Sequence, residues 1–150
     1  MENLSILLPE IFLSLAIFVT LLIGVFFKDS YNLVTKIIYA IIVILILIIF
    51  NTFTESFDLF SNSYISNSYT NFFKILILIS ALFTLIITQA YIREKNINYF
   101  EYSLVLLLSI LGMFIMISSN DLILFYLGLE LQSLSLYILE IGRASCRERV

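Results

Sequence analysis

Five long apolar runs dominate the sequence and limit what it can fold into. They cover residues of about 6–27, 37–54, 72–92, 102–118 and 122–139. Each run approaches the roughly 20 mostly apolar residues that a helix needs to cross the hydrocarbon core of a bilayer. Strands of a membrane barrel would instead alternate apolar and polar residues in segments of about ten. The runs therefore predict an all-α integral membrane protein with five transmembrane helices.

The composition supports a membrane protein and argues against a soluble domain. Hydrophobic residues make up 61% of the 150 residues and charged residues 13%. Soluble domains contain about 45–50% apolar and about 25% charged residues. The chain therefore has too few polar side chains to cover a surface that faces water, and we expect the lipid bilayer to be one of its partners.

Residue counts also exclude several kinds of functional site. The chain has no His and one Cys, Cys146. A His-ligated zinc or haem, a cysteine-bound iron–sulfur cluster and a disulfide scaffold are thereby excluded, as is a nucleophile activated by histidine. The net charge of −3 argues against nucleic acid as a partner. We expect no metal and no bound cofactor in this chain.

The last eleven residues differ in composition from the rest. Residues 1–139 contain one Arg, whereas residues 140–150 contain three Arg, the single Cys and a Gly. A genuine basic cytoplasmic end is one interpretation. The break in composition favours the other, in which 1–139 is the membrane domain and 140–150 is a foreign or artefactual tail that should be kept out of fold reasoning.

Lysine and arginine in the short loops predict the orientation of the helices. Lys28 and Lys36 flank the loop after the first run, and Arg93 and Lys95 follow the third. The loop at 55–71 carries no basic residue. Because basic loops remain on the cytoplasmic or matrix side, we expect the N-terminus and the 55–71 loop to face outward.

Glu130 is the principal candidate for a functional residue. It lies halfway along the run 122–139, near the bilayer midplane. An ionised carboxylate at that depth costs several kcal/mol, so it must be protonated, paired or hydrated, and intramembrane carboxylates commonly carry protons or ions. Tyr126 and Ser133 share its helix face and could support a relay. The alternative is a neutral glutamic acid hydrogen-bonded to a neighbouring helix.

Lys74 lies at the outer end of the third run, on the side where no other basic residue is expected. A long lysine side chain can extend along apolar surface and place its ammonium among the lipid headgroups. The position favours such a snorkelling anchor. A supporting role in proton transfer is the alternative.

Three segments together resemble a known family. The most specific is the run from Ser119 to Leu139, which contains Gly128–Leu129–Glu130–Leu131–Gln132–Ser133; Leu7–Leu8–Pro9–Glu10–Ile11 and Phe72–Phe73–Lys74–Ile75–Leu76 support it. They resemble subunit N of bacterial NADH–quinone oxidoreductase, which is subunit 2 of the mitochondrial enzyme. The resemblance covers residues 1–139.

The resemblance implies an antiporter-like, proton-translocating membrane subunit of respiratory complex I, with about fourteen helices that include two inverted repeats. This chain would be its N-terminal fragment, and Glu130 would match the family's relay glutamate, whose lysine partner lies beyond residue 139. The whole complex would use NADH and a quinone, and the partners would be its other membrane subunits. The location would be the mitochondrial or the bacterial inner membrane.

Two other functions remain open from the residues. One is a subunit of a multi-subunit cation/proton antiporter, which would share the same outline. The other is a structural membrane protein in which Glu130 only packs against its neighbours. The first would be a transporter and not part of an oxidoreductase, and the second would have no transport role.

The orientation can be tested by labelling single cysteines from either side of a sealed membrane, after Cys146→Ser has removed the native thiol. Lys28→Cys and Lys95→Cys should react from the cytoplasmic or matrix side, and Ser63→Cys from the outside, because basic loops are not translocated. Labelling of positions 28 and 63 from the same side would contradict the five-span topology.

Overall fold

A computed structural model describes residues 7–26, 30–53, 57–59, 63–95 and 100–148. The described residues form five α-helices and one β-hairpin. The elements are α1 Leu8–Phe26, α2 Ser30–Asn51, β1 Phe57–Leu59, β2 Tyr64–Ser66, α3 Ser68–Lys95, α4 Phe100–Ser118 and α5 Leu122–Glu148.

All five helices are long and apolar enough to cross a membrane. A helix bonds all of its backbone groups internally, which lipid requires because it offers them no partner. The prediction of an all-α protein with five potential spans is therefore confirmed. The two short strands are an addition that the apolar pattern did not reveal.

The third helix begins at Ser68, four residues before the predicted run. Its start is fixed by two hydrogen bonds. The backbone amide of Asn67 donates to Thr70 Oγ1 at 2.8 Å, and Thr70 Oγ1 donates to the backbone carbonyl of Asn67 at 2.7 Å. A side chain at the third helical position that bonds back to the capping residue is a known stabiliser of helix starts. A search for apolar residues cannot detect such a start.

The last helix also exceeds its predicted run, since α5 continues to Glu148. Most of the segment 140–150 is therefore helical. A helical backbone says nothing about where these residues came from, so the assignment of 140–150 as a foreign tail stays a prediction.

The core lies among the first four helices. Aliphatic side chains of α1, α2, α3 and α4, with one phenylalanine, are fully enclosed: Leu13, Val34, Ile38, Ile42, Leu45, Ile49, Leu78, Leu85, Leu107, Ile110 and Phe114. The fifth helix packs along α4 and has the smallest buried share of the five. One side of α5 is therefore left without a protein neighbour among the described residues.

The β-hairpin closes one end of the helix bundle. Its strands are antiparallel, with Phe57 opposite Ser66 and Leu59 opposite Tyr64. Tyr64 also forms an isolated antiparallel β-bridge with Ser119. The backbone amide of Asn120 donates to the backbone carbonyl of Ser63 at 2.8 Å. These bonds fasten the hairpin to the turn between α4 and α5. The distribution of Lys and Arg predicts that this end of the bundle faces outward.

Two glycines allow α4 and α5 to approach closely. A Cβ atom on Gly112 would lie 2.8 Å from the Gln132 amide nitrogen, and one on Gly128 would lie 2.9 Å from the Gly112 carbonyl oxygen. Both neighbours are backbone atoms that cannot rotate away. Small residues permit this kind of backbone contact between membrane helices, and here the contact lies beside Glu130.

We expect Gly112→Ala to destabilise the protein by about 1–3 kcal/mol, the usual effect of overpacking a tight contact. Ala40→Leu, on the exposed surface of α2, adds more volume and should leave stability nearly unchanged. The measurement is the thermal unfolding midpoint of each variant in lipid nanodiscs. Equal midpoints for Gly112→Ala and the unaltered protein would contradict the close helix contact.

Candidate functional site

Glu130 lies in the middle of the apolar part of α5 and is half-buried. The leucines around it, at 127, 129 and 134, are exposed. The backbone that carries Glu130 is held against α4 by the contact between Gly112 and Gly128. The carboxylate is thus positioned by a rigid helix pair, close to a surface that is otherwise apolar.

Tyr126 is the group that interacts with Glu130. It lies one turn earlier on α5, and its hydroxyl is close enough to the Glu130 carboxylate to interact with it electrostatically. The Tyr126 side chain is itself 60% exposed. The predicted proximity of these two side chains is therefore seen in the structure, and together they form a polar pair on the uncovered side of α5.

Ser133 does not complete this pair. Its hydroxyl bonds to the carbonyl of Leu129, one turn earlier, with a longer contact of 3.4 Å to the carbonyl of Glu130. Hydroxyl side chains inside helices commonly bond back to their own backbone in this way. Ser133 shares a helix with Glu130, but its hydroxyl is directed to the backbone rather than to the carboxylate.

Lys74 is not a snorkelling anchor, and that interpretation was wrong. Its side chain is only 1% exposed, and its ammonium lies 2.6 Å from Glu10 Oε1. It also donates to the Tyr64 hydroxyl at 3.2 Å. The reason is that α1 places a carboxylate at the same depth, so the ammonium pairs inside the bundle. Lys74 therefore pairs with Glu10, not with Glu130.

Aromatic rings enclose the rest of the ammonium. Its nitrogen lies 5.5 Å from the centre of the Tyr64 ring and 5.7 Å from that of Phe114, within the range at which a cation is attracted to a ring face. Burial, and then the negative charge of Glu10, raises the pKa of the Tyr64 hydroxyl well above its usual value. The phenol therefore remains neutral beside the ion pair.

The sequence interpretation did not identify Glu10 as a partner. Glu10 lies in the first turn of α1, next to Pro9, and is 7% exposed. A signal was available, because Glu10 and Lys74 lie at the outer ends of the first and third runs and have opposite charges. Two opposite charges at one depth suggest a pair.

Other polar side chains in the helices bond locally. The hydroxyls of Thr20, Ser80, Thr84 and Ser135 donate to carbonyls of their own helices. Ser80 and Thr84, which lie four residues apart on α3, therefore bond within their own helix. Across the described ranges, no group of three or more acidic, Cys or His residues is arranged to hold a metal ion.

Removing one partner of the buried ion pair should destabilise the protein strongly. Lys74→Met leaves the Glu10 carboxylate buried and unpaired, which typically costs about 3–5 kcal/mol. Glu10→Gln combined with Lys74→Met should recover much of that loss, because no isolated charge remains. The measurement is the unfolding midpoint in nanodiscs.

Lys36→Met is the matched control, since Lys36 lies exposed on α2. It should change stability by less than about 0.5 kcal/mol. A Lys74→Met protein as stable as the control would show that the ion pair does not form.

The chain is similar in sequence to known proteins. The chain is 44% identical over 140 residues to NADH-quinone oxidoreductase subunit N of Pelagibacter ubique, covering 93% of this chain and 30% of that protein. It is 39% identical over 138 residues to the Bartonella bacilliformis protein of the same name, covering 91% and 28%. No family model matches the chain.

A solved structure has the same fold. In the structure described as respiratory complex I from Thermus thermophilus with bound aureothin, one chain superposes with a TM-score of 0.75 at 23% identity, covering 87% of this chain and 28% of that one. The chain therefore spans less than a third of the length of the relatives that it matches. Over the part that it spans, the chain is homologous to NADH-quinone oxidoreductase subunit N, which confirms the predicted resemblance.

Proposed function

We propose that this chain is part of the proton-translocating, antiporter-like membrane subunit of a respiratory complex I, with Glu130 as its proton-relay carboxylate. The observation that carries the proposal is the position of Glu130, which lies half-buried in the middle of α5, between exposed leucines and next to Tyr126. Homology to subunit N supports it over nine-tenths of the chain.

The surroundings of Glu130 are incomplete for a charged group in a membrane. Within the described ranges, the one salt bridge joins Glu10 to Lys74, so Glu130 has no cationic partner there. A carboxylate that contacts lipid costs several kcal/mol. Further helices, which the longer relatives have room for, would cover this side of α5 and supply the lysine implied by the resemblance. Such a paired, enclosed carboxylate can release and accept protons.

The activity belongs to the assembled complex. There, electron transfer from NADH to a quinone would be coupled to proton movement, and this subunit would contribute the proton path rather than a redox centre. Its partners would be the other membrane subunits of the complex. The relatives named above are bacterial, which favours the bacterial inner membrane over the mitochondrial one.

The test replaces Glu130 in the complete subunit, within the assembled complex. Glu130→Gln keeps the size and hydrogen bonding but removes the titratable proton, so we expect proton pumping to fall by about tenfold or more, as when a positioned proton-transfer group is lost. Glu130→Asp shortens the reach by about 1.5 Å but keeps a carboxylate, and should retain part of the activity. The measurement is quinone-dependent acidification in proteoliposomes.

Glu101→Gln is the matched control, because Glu101 is exposed at the start of α4. It should pump normally. If Glu130 only packs against its neighbours, Gln should be almost silent and Asp the more harmful change. Normal pumping by an assembled Glu130→Gln complex would overturn the relay assignment and favour a structural role.

A further inference from the structure

Four side chains from four elements meet beneath the β-hairpin. Glu10 comes from α1, Tyr64 from β2, Lys74 from α3 and Ser118 from the last turn of α4. All four are buried. The Tyr64 phenol accepts a hydrogen bond from Lys74. Glu10 and Ser118 both interact with this phenol, and Tyr64 forms a β-bridge with Ser119, the neighbour of Ser118.

Two oxygen atoms of this cluster have no hydrogen-bond partner in the protein. Lys74 uses one proton on Glu10 Oε1 and another on the Tyr64 hydroxyl, and aromatic rings lie around the rest of its ammonium. The second carboxylate oxygen of Glu10, Oε2, is fully enclosed and has no hydrogen-bond partner in the protein. The Ser118 Oγ is likewise enclosed and has no hydrogen-bond partner in the protein.

An unsatisfied carboxylate oxygen in a dry interior is costly, and so is an unsatisfied hydroxyl. Both costs arise in one cluster, and one small ligand could remove both. Water is the ligand of matching chemistry, since it donates two hydrogen bonds and accepts two. Buried waters typically make about three hydrogen bonds to polar groups that lack other partners.

We propose that this cluster binds one internal water molecule, which bridges Glu10 Oε2 and Ser118 Oγ beneath Tyr64. The water donates one hydrogen to Glu10 Oε2 and forms a second hydrogen bond with the Ser118 hydroxyl. It thereby connects the first turn of α1 to the last turn of α4. Without the water, neither of these two oxygens has a hydrogen-bond partner. The neutral phenol and the neutral Phe114 ring complete the enclosure, so Glu10 and Lys74 are its charged groups.

This site is independent of the role proposed for Glu130. It lies at the end of the bundle closed by the hairpin, whereas Glu130 lies mid-helix on α5. Failure of the water site would leave the relay proposal untouched, and the converse also holds.

The test is a double-mutant cycle on unfolding in lipid nanodiscs, with Ser118→Ala and Glu10→Gln made singly and together. Ser118→Ala should lower the folding equilibrium constant by about tenfold, the usual effect of removing one partner from a buried polar group. Ser80→Ala is the matched control, since that exposed hydroxyl bonds only to its own helix. It should change the constant less than about twofold.

Coupling between the two sites is the decisive readout. If one water bridges them, the double variant should lose clearly less than the product of the two single losses, because the first change already releases the water. Losses that simply multiply would overturn the proposal, as would an effect of Ser118→Ala no larger than that of the control.

A second measurement does not depend on how the variants fold. A crystal structure of the unaltered chain in a lipidic mesophase, at a resolution that shows ordered water, should place one water about 2.5–3.0 Å from both oxygens. Density that contacts only one of the two oxygens would exclude the bridge. A protein donor on Glu10 Oε2 would exclude it as well.

Discussion

The buried ion pair between Glu10 and Lys74 is the interaction that organises the hairpin end of the helix bundle. It joins residues 64 positions apart at 2.6 Å and fixes the starts of α1 and α3 relative to each other. Tyr64 then lies over the ammonium, which positions the hairpin, and the hairpin in turn bonds to the turn between α4 and α5. Buried ion pairs contribute modest net stability, but removing one partner lowers the free energy of unfolding strongly. Their chief effect here is to specify one arrangement of helices.

Glu10 and Glu130 illustrate two ways of placing a carboxylate within an apolar helix. Glu10 is sealed inside the bundle with a cation and a neutral phenol, an arrangement suited to holding elements together. Glu130 is half-buried, lies next to an exposed tyrosine on the same helix and forms no salt bridge with a described cation. The first carboxylate is enclosed by the bundle, whereas the second lies at its open side.

Helix packing explains why Glu130 is nonetheless held rigidly. The contact between Gly112 and Gly128 brings the backbones of α4 and α5 together two residues before the carboxylate. The remainder of α5 is largely exposed, so the α4–α5 pair presents Glu130 and Tyr126 on one open side. A proton relay requires both properties, since the group must keep its place while another element approaches it.

The sequence by itself determined the features that depend on local chemistry. Continuous apolar runs of sufficient length require helices in lipid, and so the number of helices and the midpoint position of Glu130 could be predicted. The cap at Asn67 and Thr70, the hairpin at 57–66 and the pairing of Lys74 could not. Each depends on a short polar pattern or on which element lies alongside another, and a lysine at a helix end can either reach the headgroups or turn inward. Only the tertiary structure decided that Lys74 turns inward, because it placed Glu10 at the same depth and covered the pair with Tyr64.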